Sequence, residues 1–276
     1  LSVKKVVIPA KAGIQITLLS IFGLTCSALE PGRLYSSGPK DKPAIALTFD
    51  DGPGPETEKF LDPLDKFDVK ATFFMLGELV SLRPALANKV KERGHEIGSH
   101  TWKHTNYKAR LKEIEQQLRK SPSPPFPGSP VRESETGKGR MGEVEIKEAA
   151  IQLIKEELRQ DLRKTQDAIE KATGEKATLL RMPHGIDRPW IKDVAKEEGY
   201  VLVNWTYGSD WHNLPVEEMK EGYLKAIRPG AILLFHDGGR IREKSLVLTE
   251  FMIDKANKSH VLIQTVSHLL EIPADK

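Results

Sequence analysis

Cysteine is nearly absent: Cys26 is the only thiol in 276 residues. That excludes an internal disulfide and any zinc site built on cysteines. Strong charge of either sign is missing too. The formal net charge is +3, and the lysines and arginines are scattered among acids. Such a surface offers no basic footprint for nucleic acid. The apolar run near the N-terminus, Ile14–Thr25, is too short for a transmembrane helix. What is present, 39% hydrophobic residues in a chain of this length, suits one large globular domain or two small ones.

The short apolar run has a context. Lys4, Lys5 and Lys11 precede it or lie close to it, and Cys26-Ser27-Ala28 supplies small residues after it. Residues 1–28 therefore read as a secretory signal cleaved after Ala28, which implies export to the periplasm, cell envelope or exterior of a bacterium. A buried N-terminal helix or a membrane-surface anchor is the alternative.

Downstream, short apolar runs alternate with helical patterns. Strands are expected at Ala44–Phe49, Ala71–Leu76, Glu96–Ser99, Thr178–Arg181, Val201–Trp205, Ala231–Phe235 and Val261–Gln264. Most are continuous rather than alternating, as strands covered on both faces are. Helices are expected at Glu56–Phe67, Leu82–Arg93, Lys147–Ala172, Arg188–Glu198, Pro215–Ile227 and Leu246–Asn257, three of them followed by Gly94, Gly174 and Gly199. Strand–helix alternation predicts an α/β fold with a parallel sheet, open or closed into a barrel; seven strands suggest a barrel one short of eight.

One segment breaks the rhythm. Ser121–Gly142 holds nine Pro or Gly in 22 residues, and is expected to be a mobile surface excursion. The flanking stretches KEIEQQLRK (Lys112–Lys120) and KEELRQDLRK (Lys155–Lys164) are alike. They read as one helical region split by a disordered insertion at about 121–150. A substrate-binding lid is the functional alternative.

The unusual polar residues gather at strand ends. Asp50 and Asp51 end the first strand, in IALTFDDGPGP. On its own that stretch reads as a turn, since Asp-Gly and Gly-Pro are common turn pairs. His100 and His104 follow HEIGS, Arg181 closes ATLLR, Asp210 and Trp211 follow VLVNWTYGS, and His236 and Asp237 follow AILLF. In parallel α/β barrels those ends form one rim, where active sites sit. An HxxxH pair alone is a weak signal. If it is helical, both imidazoles face one side. With Asp51 it completes a His-His-Asp site for one divalent metal, and the cation offsets the repulsion between the adjacent aspartates. Zinc fits these ligands with a position open for water; cobalt, nickel, manganese or iron could use the same set. Asp50 is then free to act as a base, with Arg181 as its partner or as half of a structural ion pair. His236 is a candidate general acid, with Asp210 adjusting it.

These residues resemble the polysaccharide deacetylases of the NodB-homology type, carbohydrate esterase family 4. Five motifs stand in the family's order: TFDDGP (Thr48–Pro53), HEIGSHTWKH (His95–His104), RMPHG (Arg181–Gly185), DW (Asp210–Trp211) and LLFHD (Leu233–Asp237). The resemblance implies a distorted (β/α)7-type barrel, a single catalytic domain over about 41–270, binding one divalent metal. It implies hydrolysis of N-acetyl groups on N-acetylglucosamine polysaccharides such as peptidoglycan or chitin, with an acetylated polysaccharide and no nucleic acid or protein as partner. By the same resemblance Asp50 is the base, Asp51, His100 and His104 are ligands, Arg181 braces Asp50, and Asp210 tunes the acid His236. Trp211 and Leu234 line the acetyl pocket, and Pro183 and His184 contact substrate, His184 through its backbone N–H. One motif departs from the pattern: Met182 and His184 stand where the family carries a proline and a tyrosine. An O-acetyl esterase, or a non-catalytic sugar-binding descendant, are the rival readings.

Overall fold

A computed structural model describes residues 29–41, 43–120, 142–239 and 242–270. The signal-like segment 1–28, and 121–141 of the expected insertion, lie outside the described residues. The first half of the chain runs β1 (Leu34–Tyr35), β2 (Ala44–Gly52), α1 (Thr57–Lys66), β3 (Thr72–Met75), α2 (Gly77–Leu82), α3 (Pro84–Glu92), β4 (Glu96–Ser99) and α4 (Tyr107–Lys120). The second half runs α5 (Glu143–Thr173), β5 (Leu179–Leu180), α6 (Pro189–Glu197), β6 (Val201–Val203), β7 (Tyr207–Gly208), α7 (Val216–Ala226), β8 (Ile232–His236), α8 (Glu243–Lys258), β9 (Leu262–Gln264) and α9 (Val266–Leu270). Among the described residues, no helix is long and apolar enough to cross a membrane.

Every strand pairing is parallel, in the order β1-β6-β5-β4-β3-β2-β8-β7, with β9 beside the first residues of β2. The expected barrel is present, and its distortion has a visible cause. β6 and β7 are consecutive in the chain, yet β7 is the last strand of the sheet at one end and β6 the last but one at the other. Three residues, 204–206, cross between them. Asn204 N–H donates to Tyr35 O at 2.8 Å and Thr206 N–H to Ile232 O at 2.7 Å. Irregular backbone thus closes the curl where a ladder would otherwise run.

All seven expected strands form, and β1 and β7 are additions two residues long. Four helical expectations need correction. The helix expected at Leu82–Arg93 forms as α3 but begins at Pro84; Leu82 instead ends the unexpected α2, because Arg83 leaves helical geometry and Pro84 starts a new helix at the first-turn position that tolerates proline. The region read as one split helix is an antiparallel pair: Arg119 bonds Glu143, while Arg110 reaches Glu157. Residues 143–150 are not insertion; α5 starts at Glu143 and buries Ile146, Ala149 and Ala150. Apolar side chains one turn apart made that segment core. The fourth is the HTWKH stretch, which is loop rather than helix.

Phe49, Phe60, Phe73 and Phe235 pack between the sheet and its helices, with Phe49 and Phe73 stacked 4.8 Å apart. His95 sits at the edge of this cluster. It is 4% exposed and takes the Ala71 N–H on Nδ1 at 3.3 Å. That bond requires a neutral ring. Burial, then the charge of Lys70, pulls its pKa down to about 4, from 6.5. A folded-state value below the unfolded one gives stability that is complete above pH 6.5 and drains as pH falls toward 4. We expect the folded chain to lose on the order of 3 kcal/mol from this group across that window. Denaturant melts of the parent and His95→Gln at pH 7 and pH 4 check it. Equal losses in both would show that His95 is not responsible.

Candidate active site

Alternation along β2 decides where each side chain goes. Ala44 and Ala46 belong to the apolar filling inside the curl, while Ile45, Leu47 and Phe49 belong to the core beneath the helices. By the same period of two, Thr48 and Asp50 face inward. β8 lies beside β2 with Thr48 opposite Leu234 and Asp50 opposite His236. These four residues therefore share one inner wall, at the C-terminal end of the strands.

Asp51 then breaks the register of β2 with φ of +70°, a left-handed conformation costly for a non-glycine residue. The end of β8 holds it there. The N–H groups of Asp237 and Gly238 donate to Asp50 O at 3.2 and 3.3 Å. A Cβ on Gly238 would lie 1.7 Å from Asp51 O, so only glycine permits this approach. The paired aspartates consequently diverge: Asp50 into the barrel, Asp51 onto its rim.

Asp51 Oδ1 lies 3.5 Å from Nε2 of both His100 and His104, and is buried without a hydrogen-bond partner. The ligand atoms of the three residues fall within 4.8 Å of one another. His100 Nδ1 is 2.7 Å from Arg181 O, so that nitrogen carries the proton and Nε2 presents its lone pair. Burial pulls His100 down to about pKa 3, which keeps it neutral. A divalent cation needs these conditions: unprotonated nitrogens, an unpaired carboxylate oxygen, and the second nitrogen of a ligand anchored. The residues present fit a metal.

Arg181 is completely buried. It donates to Asp50 Oδ1 at 2.7 Å, to Thr48 Oγ1 at 2.8 Å, and to the carbonyls of Val203 and Asn204 at 3.2 Å. Its guanidinium lies 4.1 Å from the Phe74 ring centre. Burial pushes the Asp50 carboxyl above its usual range, and the Arg181 charge only partly opposes this. The result is a carboxylate that is both oriented and more basic.

On the neighbouring strand β8, His236 Nδ1 is 2.9 Å from Asp210 Oδ1, and the His236 N–H donates to Asp210 Oδ2 at 2.8 Å. Ser245 Oγ donates to Oδ2 as well. Burial pulls the imidazole down, but the Asp210 hydrogen bond and charge outweigh it and raise His236 above its ordinary value. Trp211, Trp205, Leu234 and His184 complete a cleft of about 280 Å³ around Asp50, Asp51, His100, His104 and His236.

Ten of the eleven site residues expected from sequence therefore line this cleft or bond a residue that does. Pro183 is the exception. It is buried in the 183–185 turn and does not line the cleft. His184 in that turn has φ of +60° and sets its ring edge-on to His104, 4.7 Å between centres. Trp205 also lines the cleft, with no role expected from sequence beyond its place at the end of a strand, on the expected rim. Asp237 is a further residue that the motif carries without a role of its own. It is 1% exposed, accepts from Thr57 Oγ1, and has one oxygen unpartnered. Burial lifts its pKa to about 7.

The sequence model described as polysaccharide deacetylase matches residues 37–203. A peptidoglycan-N-acetylglucosamine deacetylase of Bacillus cereus is 30% identical over 247 residues, covering 88% of this chain and 95% of that protein. The peptidoglycan-N-acetylglucosamine deacetylase PgdA of Listeria monocytogenes is 31% identical over 212 residues, 76% of this chain but 36% of that one. In fold, the chain resembles a crystal structure of a peptidoglycan N-acetylglucosamine deacetylase with a TM-score of 0.67 at 23% identity, over 89% of this chain and 96% of that one. The family match over more than half the chain, together with the Bacillus cereus relative, places this chain in the polysaccharide deacetylase family, the NodB-homology hydrolases.

Proposed function

We propose that this protein hydrolyses the N-acetyl groups of N-acetylglucosamine units in peptidoglycan, releasing acetate and leaving free amines. Deacetylation of N-acetylglucosamine polymers is the activity named for several relatives, and peptidoglycan is the polymer named for the Bacillus cereus and Listeria monocytogenes ones. The observation that carries the reading is a pair of proton-handling groups on adjacent strands, Asp50 with Arg181 and His236 with Asp210, in one cleft with a carboxylate–imidazole cluster.

A divalent metal held by Asp51, His100 and His104 would supply Lewis acidity to the attacking water and to the acetyl oxygen. Zinc is the ion we favour for two imidazoles and a carboxylate. Everything else falls to the chain. Arg181 occupies Asp50 Oδ1, so Oδ2 takes the proton from water as its oxygen attacks the carbonyl carbon. The backbone N–H of His184, presented by its left-handed turn, donates to the developing oxyanion. His236, held by Asp210 on Nδ1, gives its Nε2 proton to the amine nitrogen as the C–N bond breaks. Leu234 and the Trp211 ring, edge-on to His236 at 5.3 Å, shape an apolar seat for the acetyl methyl. A polymer substrate outside the cytoplasm fits the export read from residues 1–28.

Acetate release from peptidoglycan, measured after chelation and again after zinc or cobalt is returned, is expected to vanish and then recover. Activity on O-acetyl xylan alone would replace this reading with the esterase. Sugar binding without acetate from any substrate would replace it with a binding protein. Asp50→Asn is expected to lower kcat by roughly 10²–10⁴-fold with metal stoichiometry intact; loss of the metal would reassign Asp50 as a ligand. In Asp210→Asn the support that raises His236 is gone. Its acid form is then lost at lower pH, so the alkaline limb of the kcat/KM profile should move to lower pH. An unmoved limb would assign the general acid elsewhere.

A further inference from the structure

The loop that carries both histidines has no regular structure of its own. It runs from the end of β4 to the start of α4, and Thr101 and His104 hold φ of +69° and +58°. Two non-glycine residues in left-handed conformation within four positions would relax if nothing opposed them. Opposition comes from two helices. The carbonyls of Thr101 and Trp102 accept from the N–H groups of Gly77 and Glu78, the first residues of α2, at 3.0 and 3.1 Å. The Trp102 N–H donates to Asp161 Oδ1, on α5, at 2.7 Å.

Asp161 is more than a convenient acceptor. It projects from the middle of α5, the helix whose Ile154, Leu158 and Leu162 are fully buried, so its backbone is fixed. The Tyr107 hydroxyl lies close to the same carboxylate, and Tyr107 opens α4 on the far side of the loop. One side chain thus stands against positions 102 and 107, and His104 lies between them. Three residues on, the Lys164 ammonium lies 3.8 Å from the Trp102 ring centre and pins the indole. A Cβ on Gly77 would meet both Trp102 and Thr165 within 3 Å, so indole, α2 and α5 are in close contact.

We propose that Asp161 is a positioning residue for the metal centre: through its bond to the Trp102 N–H it sets the loop bearing His100 and His104 before an ion arrives. The assignment rests on reading Asp51, His100 and His104 as the metal ligands. α5 then does more than cover the barrel, since it carries a preformed support for ligands on a different loop.

The first measurement uses the parent chain freed of metal by chelator. Amide exchange at Trp102, read by NMR, is expected to be as slow without metal as with Co²⁺. A Trp102 amide that exchanges freely until Co²⁺ is added would mean the ion orders the loop, and overturns the proposal. The second follows Co²⁺ binding by its visible absorption. Asp161→Ala should bind about 10–100-fold more weakly, the usual scale for loss of a group that supports metal ligands. Asp161→Asn keeps an oxygen for the Trp102 N–H and should recover most of the affinity. A folded Asp161→Ala with parental affinity overturns the proposal. Should the alanine variant not fold, the amide measurement still decides. A parent that binds no Co²⁺ removes the metal reading, and the exchange rate at Trp102 then judges the support by itself.

Discussion

The site depends on one buried ion pair. Arg181 has no exposed surface, so its charge must be satisfied from within. It is, by Asp50, by the Thr48 hydroxyl, by two carbonyls at the end of β6, those of Val203 and Asn204, and by the face of Phe74. Those contacts reach from β5 across the interior to β2, β3 and the crossing at 204. The Arg181 carbonyl in turn holds His100 Nδ1. The proposed proton acceptor, Asp50, and the proposed metal ligand, His100, are therefore registered to each other through a single residue. Such a pair is poor value as stability, because both ions lose water, and removing either partner strands a buried charge. What it gains is orientation.

The barrel makes this arrangement possible through parity. Inward positions on β2 and β8 are alanine, isoleucine and leucine up to the level of Thr48 and Leu234, and ionisable at the next step, Asp50 and His236. Apolar filling below and chemistry above belong to the same strands. The lower layer excludes water from the floor of the site, and that lowers the local dielectric in which Asp50 and His236 work. Both groups are raised, for different reasons: the carboxylate by burial, the imidazole by its own aspartate against burial.

Most of this was legible in the sequence because the chemistry lies at strand ends, and a buried strand announces itself as an apolar run. TFDD, the R after ATLL and the HD after AILLF are read locally. The HxxxH spacing invited a helix, and the loop that is there depends on partners far along the chain: Gly77, Glu78 and Asp161. No pattern within HTWKH encodes them. The antiparallel partnership of α4 and α5 was hidden for a similar reason. Two similar charged helices look like one interrupted helix until Arg110 is seen to meet Glu157. Trp205 and the turn that buries Pro183 are also products of closure, not of local pattern.

The way the curl closes bears on what can enter. Had β6 and β7 been joined by a full ladder, that side of the cleft would be a strand wall. Instead residues 204–206 cross as irregular backbone, and the wall is built from Trp205 and Trp211, ring centres 6.3 Å apart. Trp211 keeps 44% of its surface exposed even though it packs against His236. The strand pairing given up at the crossing thus leaves an aromatic edge, Trp205 and Trp211, on that side of the cleft, and an indole face of this kind matches the flat C–H face of the sugar ring in the proposed substrate.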